Sequence, residues 1–389
     1  MGYLKWLNSL SNDNILEKGA KIKICYTFCV MQGIFDHKKT RICKVGSLKI
    51  GGGNSIAIQS MCSTRTHDGE KTVAQILKLE REGCEIIRVA VPDFESAKAL
   101  SQIKRKIHIP LVADIHFDYR LALEAIKFGA DKIRINPGNI GGKERVVEIL
   151  KAAKKAKIAL RLGINSGSLE RNLLEKYGRP SPEALVESAL NWSKFFEKNN
   201  FTNFVVSIKS SDVPEAIAAN KLFAEKSDHP LHLGITEAGL PPYGVIKSAV
   251  GLGALLNEGI GDTIRVSLTA DPVEEVRAAK NILKSLHLYN KEPEVIACPT
   301  CGRTEINLIK LAKEVEERLM DLHKRGQLKK PIKVSVMGCV VNGVGEARTA
   351  DFGIAGGRGK GAIFKKGKII KWVEEKKLVD EFMKIIINN

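Results

Sequence analysis

The chain has 389 residues, 44% of them hydrophobic, with 62 Lys and Arg against 44 Asp and Glu, a net charge of +18. Such a composition excludes a disordered chain, and no apolar run approaches the roughly 18 residues of a membrane-spanning helix. The basic excess favours anionic partners, but aromatics are only 6% and stand apart from the Lys-rich runs, so nucleic-acid binding by base stacking is not indicated.

Residues 1–36 show no sustained period and read as an N-terminal extension, disordered or misassigned as the start, with Met31 close to a more usual beginning. The short apolar run "ICYTFCVM" is not followed by a small-residue cleavage site, which points to a cytoplasmic protein. From about residue 54, β-rich runs alternate with helical segments. Strands are expected at 55–61, 85–92, 110–118, 132–138, 159–165, 204–212, 231–239 and 262–268, with helices between them, as at 72–83 and 182–199. Eight βα units in about 235 residues predict a closed (β/α)8 TIM barrel, assigned to residues 37–288. An open doubly wound sheet competes, but no strand is followed by a G-x-G-x-x-G turn.

A composition shift at 286–294 opens a second, smaller α+β domain, residues 289–389. It holds the pair Cys298 and Cys301, an amphipathic helix at roughly 303–324, the strand "IKVSVMGC", a Gly-rich run and a hairpin. The basic runs "KAAKKAK" (151–157) and "KKGKIIKW" (365–372) read as solvated faces of a helix and a hairpin.

Catalytic groups of such barrels gather at the C-terminal strand ends. Here those ends carry Arg88, then Asp114 and His116, Arg134 and Asn136, Arg161 and Asn165, Lys209 and Asp212, Glu237, and Arg265 and Ser267. Residues i and i+2 share a strand face, so each such pair can point inward. Five cations (Arg88, Arg134, Arg161, Lys209, Arg265) from five strands would bury uncompensated charge unless an anion fills the funnel. A diphosphate suits it, because guanidinium forks bind phosphoryl oxygens in a bidentate way. Glu237 is a candidate acid or base, whereas Glu258 and Glu274 read as surface residues.

The eight cysteines, at 25, 29, 43, 62, 84, 298, 301 and 339, form no disulfide framework. C-x-x-C serves zinc, thiol redox and iron–sulfur sites alike. A zinc ribbon would show a second C-x-x-C, yet this domain adds only Cys339, and no histidine follows His323 to close a three-cysteine zinc site. Glu346, seven residues past Cys339, is the remaining ligand candidate, and oxygen ligation would leave a 4Fe–4S cluster one labile iron. Cys25 and Cys29 make a C-x-x-x-C, but position 32 is Gln, so a radical S-adenosylmethionine motif fails. Cys25, Cys29, Cys43 and Cys84 read as free or packing thiols, and Cys62 lies near the barrel mouth without an evident partner.

"QSMCSTRTHD", "VADIHFDYR", "RINPGNIG", "HLGITEAG", "GIGDTIRVSLTADPVEEV", "ACPTCGRTE" and "VMGCVVNGVGEA" together resemble the 4-hydroxy-3-methylbut-2-en-1-yl diphosphate synthase family over roughly residues 38–360. The resemblance implies a cytoplasmic iron–sulfur oxidoreductase of isoprenoid biosynthesis by the methylerythritol phosphate pathway. It would open and dehydrate 2-C-methyl-D-erythritol 2,4-cyclodiphosphate, with ferredoxin or flavodoxin as electron donor. It makes Cys298, Cys301, Cys339 and Glu346 the ligands of a 4Fe–4S cluster and Glu237 the active-site acid. It places substrate among Arg88, His116, Arg134, Asn136, Arg161, Asn165, Lys209, Arg265 and Ser267. It further implies a homodimer with the active site shared between subunits and the short two-domain bacterial form, and the lack of a long apolar run adds the expectation of no membrane association. One departure is Val344 in "NGVGE", where the family usually has proline, which loosens the turn before Glu346 without removing a ligand.

Overall fold

The computed structural model describes residues 38–339, 345 and 347–388, so the expectations for residues 1–36, Cys25 and Cys29, Val344 and Glu346 lie outside the described residues. The chain divides between Leu286 and His287 into two compact units.

The first unit opens with a hairpin, β1 (Cys43–Val45) and β2 (Leu48–Ile50), that the sequence reading does not anticipate. Then come β3 (Ala57–Met61), α1 (Gly69–Glu82), β4 (Ile86–Ala90), α2 (Phe94–Lys106), β5 (Leu111–Asp114), α3 (Tyr119–Lys127), β6 (Lys132–Ile135) and α4 (Lys143–Ala156). They continue with β7 (Ala159–Asn165), α5 (Arg171–Tyr177), α6 (Pro182–Lys198), β8 (Phe204–Lys209), α7 (Val213–Lys226), β9 (His232–Leu233), α8 (Tyr243–Leu256), β10 (Thr263–Ile264) and α9 (Pro272–Ser285). The strands pair in the order β8-β7-β6-β5-β4-β3-β10-β9. A parallel bridge between Val206 and Leu231, with Val206 N donating to Pro230 O at 2.9 Å, closes the ring. The expected eight-stranded TIM barrel is what forms.

Local chemistry explains the alternation. The strands are buried on both faces, as parallel strands under helices must be. Asp93, Ser181, Asp212 and Asp271 cap the helices that follow them, each side chain accepting from a backbone N–H of the first turn. Cys43, Val45 and Ile50 of the hairpin pack against Ala57, Ile86, Val112, Ala159 and Val205, the lowest inward residues of five strands. The hairpin therefore plugs the bottom of the barrel, leaving only the opposite, C-terminal end for a site. Val45 and Ile50, fully buried there, each contribute about 1.5–3 kcal/mol.

The second unit is a mixed sheet of β11 (Glu294–Ala297), β12 (Lys333–Met337), β13 (Phe352–Gly357), β14 (Lys360–Lys365) and β15 (Lys368–Glu374), in that spatial order. α10 (Leu308–Lys324) and α11 (Leu378–Ile387) bury Val315, Leu319, Phe382 and Ile386 with Val334, Ile354 and Ile363 of the sheet. α10 starts five residues later than the sequence suggests, because Asn307 caps it, accepting from Lys310 N at 3.1 Å. The preceding loop is thereby left free to carry Cys298 and Cys301. Among the described residues no helix is long and apolar enough to cross a membrane.

Candidate active site

At the barrel mouth the register brings the polar strand ends side by side. Asp114 pairs across the ladder with Arg134, Arg134 with Arg161, and Asn165 with Lys209. Asp114 lies between two guanidiniums: Arg134 Nη1 donates to its Oδ1 at 3.1 Å, and Arg88 Nε stands 3.8 Å from its Oδ2. Burial works against the Asp114 charge, but Arg88, then Arg134 and Arg161, outweigh it and hold the carboxyl at about 2. Arg88 is pulled down to about 10 by burial, which the attraction of Asp114 only partly offsets.

Arg265 Nη2 has its own counter-charge, donating to Glu275 Oε1 of α9 at 3.1 Å. Glu275 also accepts from Leu268 N at 3.0 Å and from Ser60 Oγ at 3.0 Å. The expectation of five uncompensated cations is thus corrected. Arg88 and Arg134 share Asp114, and Arg265 has Glu275, which the sequence reading passed over beside Glu274, the neighbour it assigned to the surface.

Arg161 and Lys209 remain. Both are buried, and neither makes an ion pair among the described residues; Arg161 Nε and Nη1 find no acceptor. Burial and the neighbouring arginines push both groups well below their ordinary values. An anion arriving at the mouth would offset this buried charge.

Two glycines make the room. A Cβ at Gly234 would stand 2.7 Å from Lys209 Nζ and 2.7 Å from Arg265 O, and one at Gly163 would stand 2.9 Å from Arg134 Nε. With its amide oxygen turned to the guanidinium, Asn165 accepts from Arg134 Nη2 at 3.1 Å. Asn136 Oδ1 accepts from Gly138 N at 3.1 Å, and its amide donates to Ser168 Oγ. Ser267 is half-buried just past β10, and His116 is exposed just past β5.

Glu237 is exposed on the loop after β9 with φ 53, a left-handed conformation that costs a non-glycine residue energy and often marks a functional position. Beneath the mouth, Gln59, Lys132, His232 and Thr263 form a buried layer whose side-chain polar atoms find no partner among the described residues. Burial draws Lys132 down to about 7. The sequence reading missed this layer, since each residue looks like an isolated polar position inside a strand.

In the second unit, Cys298 follows β11 and Cys339 follows β12, which are adjacent and parallel, so both thiols emerge from the same end of the sheet. Cys298 Sγ accepts from Gly338 N at 3.2 Å, and Cys301 N donates to Thr304 Oγ1 at 3.1 Å. The backbone amide and guanidinium of Arg303 lower the exposed Cys301 thiol below its ordinary value. Among the described residues no three His, Cys, Asp or Glu are gathered tightly enough to hold a metal ion. Even so, soft thiol donors at paired strand ends, with amide hydrogens directed at sulfur and space on the loop, fit an iron–sulfur group.

Residues 40–280 match the family described as the GcpE TIM-barrel domain, and residues 294–388 match the GcpE protein C-terminal domain. A 4-hydroxy-3-methylbut-2-en-1-yl diphosphate synthase (flavodoxin) of Caldanaerobacter subterraneus is 59% identical over 90% of this chain and 97% of its own. The protein of the same name from Clostridium acetobutylicum is 57% identical over 90% of this chain and 99% of its own. Among solved structures, the Yersinia pestis dihydropteroate synthase is 12% identical at a TM-score of 0.47, covering 64% of this chain and 99% of its own.

Proposed function

This chain belongs to the GcpE family of 4-hydroxy-3-methylbut-2-en-1-yl diphosphate synthases, and from that premise we propose how its own residues carry out the reaction. It converts 2-C-methyl-D-erythritol 2,4-cyclodiphosphate to 4-hydroxy-3-methylbut-2-enyl diphosphate in the methylerythritol phosphate pathway, a two-electron reductive ring opening with loss of water. Flavodoxin is the electron donor, as in the relatives' name. The observation that carries the site assignment is the meeting of Arg161 and Lys209, buried and without an ion-pair partner among the described residues, at the open end of the barrel.

Arg161 and Lys209 take the diphosphate, whose charge supplies the ion-pair partner they lack among the described residues. Arg88 and Arg134 are aimed by Asp114, and Arg265 by Glu275, so that their free N–H groups meet phosphoryl oxygens in a fixed geometry. Asn136, Asn165, Ser267 and His116 hold the rest of the ring from the rim. Glu237 delivers a proton to the substrate oxygen that leaves as water. Cys298, Cys301, Cys339 and Glu346 would hold a 4Fe–4S cluster, which when bound supplies electrons one at a time and a Lewis-acidic iron. Two copies of the chain share each site in this reading, and the enzyme is cytoplasmic.

Anaerobically purified protein is expected to contain iron and acid-labile sulfide in equal amounts. Glu237→Gln should keep both while losing turnover by about 100-fold. Zinc in place of iron, or full turnover in the variant, would contradict the reading.

A further inference from the structure

The hairpin segment 358–377 holds eight Lys and Arg against two Glu, so one third of the chain's net charge lies in about one twentieth of its length. None of the barrel chemistry uses it. β15 is an edge strand of the second unit, and Ile369, Ile370 and Trp372 on it are 40%, 48% and 54% exposed. Apolar side chains on an edge strand invite association, and lysines of this kind limit it to an oppositely charged partner.

The register says where this patch leads. Trp372 pairs with Ala362, Ala362 with Ala355, and Ala355 with Met337; Ile369 pairs with Phe364. Met337, Ala355, Ala362 and Phe364 form one buried apolar cluster, and Cys298 packs against it. Trp372 and Ile369 thus continue the sheet face that ends at Cys298. Lys371 turns the other way, its Nζ reaching Glu381 Oε2 on α11 at 2.6 Å. Three strand spacings of about 4.8 Å place β15 about 14 Å from β12, at whose end Cys339 lies.

We propose that the β15 face, Ile369 and Trp372 with Ile370 at the bulge between them, framed by Lys368, Lys366 and Lys376, is where an acidic one-electron carrier protein of the flavodoxin type docks to deliver electrons. The proposal rests on the reading of Cys298, Cys301 and Cys339 as the redox centre. An aromatic anchor within a charged rim gives such a short-lived complex its orientation, while the net charge steers encounter. Small side chains at Ala355 and Ala362 keep the packed path between anchor and thiols short.

The test compares two reductants on the full-length protein: purified reduced flavodoxin and dithionite-reduced methyl viologen, which needs no docking face. Trp372→Thr and Lys368→Glu are each expected to raise the KM for flavodoxin by about tenfold. The viologen-driven rate and the sedimentation behaviour should match the wild type, and the wild-type KM for flavodoxin should rise with salt. Unchanged flavodoxin kinetics in both variants overturn the docking face while leaving the function intact. An equal loss with both donors, or an altered subunit assembly, also overturns it, by making the strand a structural element or an interface between copies. Wild-type protein inactive with either donor would instead sink the functional reading, and the docking face with it.

Discussion

Asp114→Asn is expected to cost the barrel about 3–5 kcal/mol, the penalty for stripping the counter-charge from a buried ion cluster. The Asp114 carboxylate is the nearest negative group to Arg88 and Arg134, and it lowers the cost of Arg161 as well. Asparagine keeps the size but not the charge, so three guanidiniums are left facing one another. The melting temperature should therefore fall, and the diphosphate substrate should raise it by more in the variant than in the wild type. The same linkage sets a pH dependence. Because the folded carboxyl is held at about 2 against an ordinary value of 3.8, its stabilisation is complete above about pH 4 and is lost as pH falls through about 2. The variant should lack that acid-side loss. Differential scanning calorimetry against pH reads both effects, and a variant as stable as the wild type at pH 7 would refute the role given to Asp114.

Arg161→Met should do the reverse to stability. The side chain is 1% exposed with two nitrogens lacking acceptors among the described residues, and methionine fills much of its volume without the charge. Removing an unpaired buried charge is expected to stabilise the substrate-free protein by about 1–4 kcal/mol. Affinity for the cyclodiphosphate should nonetheless fall by about 100-fold, as for a lost charge-assisted contact. A structural arginine predicts the opposite pairing, lower stability with substrate binding kept. Thermal melts and substrate titration on one preparation separate the two.

The barrel was legible because its strand–helix alternation is regular, and strand starts fall within two residues of the sequence expectation. Strand ends were not. The segments expected at 231–239 and 262–268 keep only His232–Leu233 and Thr263–Ile264 in the ladder, as their last residues leave it to line the mouth. The cations were legible from their places on successive strands. Their counter-charges were less so: Asp114 stands in the strand pattern without a role, and Glu275 looks like any helix carboxylate until α9 is folded against β3. The plugging hairpin and the layer around Lys132 and His232 arise from contacts between distant segments, which no local pattern announces.

The central claim is that this chain reduces a cyclic diphosphate bound at the cationic mouth of its barrel. Anaerobic incubation of the reconstituted protein with 2-C-methyl-D-erythritol 2,4-cyclodiphosphate and reduced flavodoxin, with products separated by ion chromatography and mass spectrometry, tests it most directly. The account predicts 4-hydroxy-3-methylbut-2-enyl diphosphate, formed only when reductant is present and at one molecule for every two electrons consumed. Unchanged cyclodiphosphate, or turnover indifferent to the reductant, would contradict it.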